Sequence, residues 1–161
     1  MARTDSNIRI TPSVLDRLID YDPRESRESP KSRSASLMEL KASVRRDLEW
    51  LLNSRTFLDP EDLESTELKN SVAVYGLPDI TGLGAQNRDE QSRALRAVEH
   101  AIAVFEPRFL NLKVTMERPT DTERSIKFRI EAQLDVDPAP EPIVFDTVLK
   151  LGSSDFEIKE K

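Results

Sequence analysis

The feature that most constrains this chain is the change of hydrophobic period at Glu106, Pro107 and Arg108. Before it, Leu95, Val98, Ile102 and Phe105 recur at helical spacing; after it, Leu110, Leu112, Val114 and Met116 alternate with Asn111, Lys113, Thr115 and Glu117. Proline fixes φ and lacks the N–H that a helix interior needs, so the helix must end here and a strand must begin. Ile126, Phe128, Ile130, Ala132 and Leu134 form a second alternating run, and Ile143, Phe145, Thr147 and Leu149 a third. Turn residues separate them at Pro119, Thr120 and Asp121 and again between Pro138 and Pro142, and a last run around Phe156 and Ile158 adds an edge strand after Gly152, Ser153 and Ser154. Short connections between successive strands predict an α+β domain, with helices packed on one face of a small, largely antiparallel β-sheet. The polar residues of the strands are expected to face solvent or another subunit.

Three helical segments precede that transition. Residues 36–53 carry Ser36 and Glu39 at capping-box spacing, with Leu37, Leu40, Val44, Leu48, Leu51 and Leu52 along one side. Arg45, Arg46, Asp47 and Glu49 keep the other side polar, Trp50 lies at the boundary as a partly buried packing residue, and Asn53, Ser54 and Arg55 form the exit. A second long helix is predicted from Asn87, with Glu90 completing its capping box, through Ala103 or Phe105. Residues 10–20 form a short amphipathic peg, capped at Thr11, in which Val14, Leu15, Leu18 and Ile19 repeat at helical spacing. This gives a docking segment at 1–22, a polar linker rich in Arg, Glu, Ser and Pro at 23–35, and a single domain at 36–161. The linker makes a flexible tether for the peg.

Between the long helices the pattern is less regular. Pro60 is expected to start a short helical turn, and Leu63, Leu68, Val72 and Val74 to supply packing points. Gly76, Pro78, Gly82 and Gly84 mark turns, with Leu77, Ile80 and Leu83 free to tuck into a core between them. Neither a phosphate-loop nor a dinucleotide glycine pattern is present.

Composition removes several chemistries. The chain of 161 residues has no cysteine, which rules out disulfides, thiolate metal sites, thiol nucleophiles and cysteine-held iron–sulfur clusters. The single His100, beside the apolar stripe of its helix, cannot build a multi-histidine metal centre and has no nucleophile at useful spacing. No metal or other cofactor is expected. A net charge of -6 disfavours nonspecific binding to nucleic acid or anionic lipid. No apolar run approaches the roughly 20 residues of a membrane span, and the N-terminus lacks the apolar middle of a secretory signal, so a cytoplasmic protein without direct membrane insertion is expected.

With these elements in order, the chain resembles the TssE family, the small type VI secretion baseplate subunits, similar to the lysozyme-named baseplate wedge proteins of contractile phage tails. The resemblance is carried by the peg from Val14 to Asp20, SVRRDLEWLLNSR at 43–55, SVAVYGLPDITGL at 71–83 and AIAVFEPRFLNLKV at 101–114. It implies a non-enzymatic structural subunit, in a cytoplasmic baseplate close to the inner membrane, that joins TssF and TssG and meets the TssB/TssC sheath. It assigns Tyr75, Gly76, Leu77 and Pro78 to a structural turn, and Glu106, Pro107 and Arg108 to a charged turn expected to support assembly through polar contacts. Val14, Leu15 and Leu18 are expected to anchor the peg. Phe109 stands where the family often has Leu, and Ser54 where Thr is frequent. A small regulatory adaptor with the same fold is the alternative, and a glycoside hydrolase a remote one, since paired carboxylates at sugar-flanking separation are not evident.

Overall fold

A computed structural model describes residues 10–19, 23–24, 32–80, 88–117, 125–150 and 155–160. The helices are α1 (Val14–Leu18), α2 (Arg33–Asn53), α3 (Thr66–Lys69) and α4 (Arg88–Phe105), and the strands β1 (Phe109–Glu117), β2 (Ser125–Leu134), β3 (Glu141–Lys150) and β4 (Phe156–Glu160). Each strand pairs antiparallel with the next, giving one sheet in the order β1-β2-β3-β4. The long helices lie on its inner face, α2 over β4 and α4 over β1, and touch each other. The α+β architecture is the one expected.

The core follows from the alternation. All five inward residues of β2, Ile126 through Leu134, are buried, as are Ile143, Phe145, Thr147 and Leu149 opposite them on β3. Leu40, Val44, Leu48, Leu51 and Leu52 of α2 close over this face with Ala94, Val98, Ala101 and Ile102 of α4, whose alanines permit close approach. The buried Thr147 donates its hydroxyl proton to the Phe128 carbonyl at 3.1 Å, which removes the cost of an unpaired polar atom.

In β1 the alternation is not uniform. Asn111 has φ 53, and the register shifts between Leu110 and Lys113, so one extra residue is accommodated there. The bulge puts Phe109 on the core side together with Leu112, Val114 and Met116, while Leu110 is exposed instead of following the inward pattern. Asparagine tolerates the left-handed region, and its side-chain amide donates to Gln133 Oε1 at 3.0 Å across the pair.

The helix starts also differ from expectation. In α2 the cap is Ser32, whose hydroxyl accepts from the Ala35 amide, so residues 33–35 form the first turn of the helix where the polar linker was expected. Ser36, the expected cap, is the fourth residue of the helix and donates its hydroxyl proton to the Ser32 carbonyl. In α1 the cap is Ser13, not Thr11, and the helix spans five residues. The expected start of α4 at Asn87 and the turns at Gly82, Gly84, Pro119–Asp121 and Gly152–Ser154 lie outside the described residues, as do Asp20 and Leu83.

Between α2 and α4, Pro60–Asp62 forms the expected helical turn, held on α4 by pairing of Arg93 with Asp59 and of Arg96 with Glu61 at 2.8 Å. Val74, Leu77 and Ile80 reach the interior, but Leu68 and Val72, expected to pack, are exposed. Pattern misleads here because Leu68 lies in α3, a single turn with no buried residue, and Val72 opens the next short turn, in which only Val74 is buried.

Candidate functional site

The segments singled out in the sequence meet at the C-terminal ends of the two long helices. Gly76 makes this possible. Its φ is +107°, and a Cβ there would stand 2.6 Å from the Ser54 carbonyl oxygen, so only glycine lets the turn lie against the end of α2. Two backbone bonds hold it: the Leu77 amide donates to Ser54 O at 2.9 Å, and the Thr56 amide to Leu77 O at 3.0 Å. Leu77 is thereby buried, and Tyr75 packs edge-to-face on Phe105 at 5.1 Å, joining the turn to the end of α4.

Phe105 leads directly into the charged turn. The Glu106 amide still donates to Ile102 O at 2.9 Å, and Pro107 then ends the helix. The Glu106 side chain points inward and is only 4% exposed, a position in which an unpaired carboxylate would be costly. Arg108 returns to it, binding both carboxylate oxygens, and its backbone amide donates to Glu106 Oε1 at 3.2 Å. The same guanidinium donates to Asp47 Oδ2 at 2.7 Å and to Ser43 Oγ at 3.4 Å on α2. Burial alone would lower the Arg108 pKa; the bonds and charge of Glu106, then of Asp47, outweigh it and raise the pKa above its ordinary value.

Asp47 is a shared acceptor, taking Arg46 on its other oxygen at 2.8 Å. Arg46 continues to Asp16 of α1 at 2.8 Å, while Ser43 and Ser13 donate hydroxyl protons to Asp16 at 2.7 and 2.6 Å. Alternating charge therefore runs Glu106, Arg108, Asp47, Arg46, Asp16, from the charged turn to the peg. Burial raises the Asp16 pKa, but the two hydroxyls and Arg46 together bring it down to about 2. Arg46 also lies over the Trp50 ring, 5.1 Å from its centroid. The polar side expected of α2 thus serves as the attachment surface for both other segments.

Together they enclose an open groove of about 410 Å³, lined by Leu15 of the peg, Asp47 and Trp50 of α2, Tyr75 of the glycine turn, and Phe105 to Arg108. Trp50 is 52% exposed, more open than the partly buried packing residue expected. Of the peg residues, Val14, Leu15 and Leu18 are all exposed, and the anchoring to α2 is made by Asp16. Pro78 is half-buried next to the buried Leu77. Ser43, Arg46 and Asp47 were not singled out by sequence; their spacing of three to four residues up to Trp50 was the available signal that they share one stripe.

Residues 38–139 match the sequence profile of the baseplate wedge protein gp25 family. The chain belongs to that family. The match includes α2 from residue 38 onward, the glycine turn, the charged turn and the hairpin of β1 and β2, so both motifs of the groove lie inside it. No curated protein matches the chain. A baseplate wedge role is structural, and both carboxylate oxygens of Glu106 accept from the Arg108 guanidinium within the turn. Among the described residues, no helix is long and apolar enough to cross a membrane.

Proposed function

We propose that this wedge-family chain is the small TssE-like subunit of a type VI secretion baseplate, a non-enzymatic part that joins TssF and TssG near the base of the TssB/TssC sheath and supports sheath assembly. The observation that carries the reading is the groove, in which four segments remote in sequence present Leu15, Trp50, Tyr75 and Pro107 to one open space. Exposed aromatic anchors beside a rigid polar frame are the usual composition of an interface centre. In this role Arg108 contributes by fixing the shape of the groove wall, to which its quarter-exposed side chain also contributes surface. Val14 and Leu18, solvent-facing on the docked peg, extend the same contact surface. The subunit would act in the cytoplasm, in a baseplate close to the inner membrane, by holding a fixed place from which force is transmitted.

The test is mass spectrometry of complexes isolated under native conditions with the tagged chain. Recovery of TssF and TssG, lost on Trp50→Glu with the fold intact by circular dichroism, is the expected result. Recovery of one unrelated regulatory protein without wedge components would replace the reading with that of an adaptor.

A further inference from the structure

A second surface lies on the excursion that leaves α2 at Thr56 and returns at Ala73. Its stem is closed by Thr56, whose hydroxyl proton reaches the carbonyls of Leu58 at 3.3 Å and Ala73 at 3.4 Å, so the neighbouring Phe57 and Val72 emerge from one place. Phe57 is 104% exposed and Val72 83%, with Leu58 and Leu68 also open to solvent. Four large apolar side chains on one short excursion contribute nothing to the core and carry a continuing cost of hydration. The excursion is not loose, because Arg93 and Arg96 clamp Asp59 and Glu61, and serine caps fix both of its later turns. The apolar residues are therefore held outward.

Charge identifies the occupant. Between Phe57 and Val72 there are five acidic residues, Asp59, Glu61, Asp62, Glu64 and Glu67, against the single Lys69. Asp59 and Glu61 are paired with α4 and Asp62 lies 4.0 Å from the same Arg93, while Asp62, Glu64 and Glu67 all remain exposed to solvent. We infer that the excursion is a docking surface for a protein segment that sets apolar side chains on Phe57 and Val72 and flanks them with Lys or Arg. Apolar anchors supply the binding energy, and the acidic rim steers and orients a cationic partner. A second copy of this chain, whose excursion is equally acidic, is disfavoured by like-charge repulsion. The inference does not depend on which machine the chain serves.

The probe is a synthetic amphipathic peptide of Leu and Lys at helical spacing, titrated into the full-length chain while amide resonances are followed, with a Leu and Glu peptide of the same pattern as control. The Leu–Lys peptide is expected to shift resonances of residues 57–72, and Phe57→Ser with Val72→Ser to weaken binding at least about tenfold without changing the thermal midpoint. Equal binding of the acidic peptide, shifts confined to the Trp50 groove, no shifts at all, or concentration-dependent dimerisation through these residues would each overturn it. Failure to recover TssF and TssG would count against the proposed function and leave this result standing.

Discussion

Replacing Arg108 with alanine should unfold the groove before it tests any partner. The substitution removes the guanidinium from Glu106, whose side chain is 4% exposed, and from Asp47 at 2.7 Å. Breaking a buried ion pair by deleting one member costs about 3–5 kcal/mol, because the other charge stays buried and uncompensated. Two features of the site set the value at the low end: Arg108 itself is partly exposed, and Asp47 keeps Arg46 at 2.8 Å. We expect a loss of about 3 kcal/mol, which for a domain of this size lowers the thermal midpoint by about 6–12 °C. The paired variant, Glu106→Gln with Arg108→Met, removes both charges while retaining a side-chain oxygen for the Arg108 amide, and should recover at least half of the loss. Thermal unfolding followed by circular dichroism decides between outcomes. A midpoint for Arg108→Ala within about 2 °C of the parent, or a double variant less stable than the single one, would refute the intramolecular role assigned to this arginine.

Other expectations follow from the same geometry. Gly76→Ala forces a Cβ to within 2.6 Å of a carbonyl oxygen at φ +107°, and should cost about 3–5 kcal/mol from strain and from two strained or lost backbone bonds, read by urea denaturation; a cost under 1 kcal/mol would contradict the turn geometry. Asp16 has its pKa lowered from 3.8 to about 2, so the ionised carboxylate favours the docked peg: that contribution is complete above about pH 4 and is lost as pH falls through 2. Amide shifts of α1 between pH 2 and 7 would show undocking at the acid end, Asp16→Asn would show it at neutral pH, and an α1 unchanged in both would remove the carboxylate from its anchoring role. Asn53→Ala should cost about 1–2 kcal/mol, since its side-chain amide both donates to Phe156 O at 3.2 Å and accepts from the Phe156 amide at 2.8 Å; an undiminished hydrogen-exchange protection of that amide would exclude it.

The sheet was legible because β2 and β3 are buried on one side at every second residue, and a period of two survives in sequence when nothing interrupts it. Leu110 was misassigned because a bulge shifts the phase without changing the residue types, and Asn111 was its only local mark. Short helices escaped for a different reason: Leu68 in α3 and Val72 just after it were available as apolar packing points, but tertiary contact, not pattern, decides whether one turn buries them. At the site, Pro107 and Gly76 announced turns on backbone grounds alone. What the sequence could not supply was partner choice. Nothing in the order of residues says that Arg108 would reach back 61 positions to Asp47, or that Asp16 would meet Arg46 across the linker.

The clamp between Asn53 and Phe156 also bears on the order in which the molecule is completed. Each of the three hairpins joins neighbouring strands, so the sheet can zip through local pairings whose ends are already near one another. Asn53 and Phe156 are separated by 103 positions, and bringing them together closes most of the chain into one loop. The entropy of that closure falls chiefly on β4, and it shrinks once the preceding strands have shortened the path. β4 is then the last of the four strands to gain from docking, and a chain leaving the ribosome reaches its native core only when residues 156–160 have emerged.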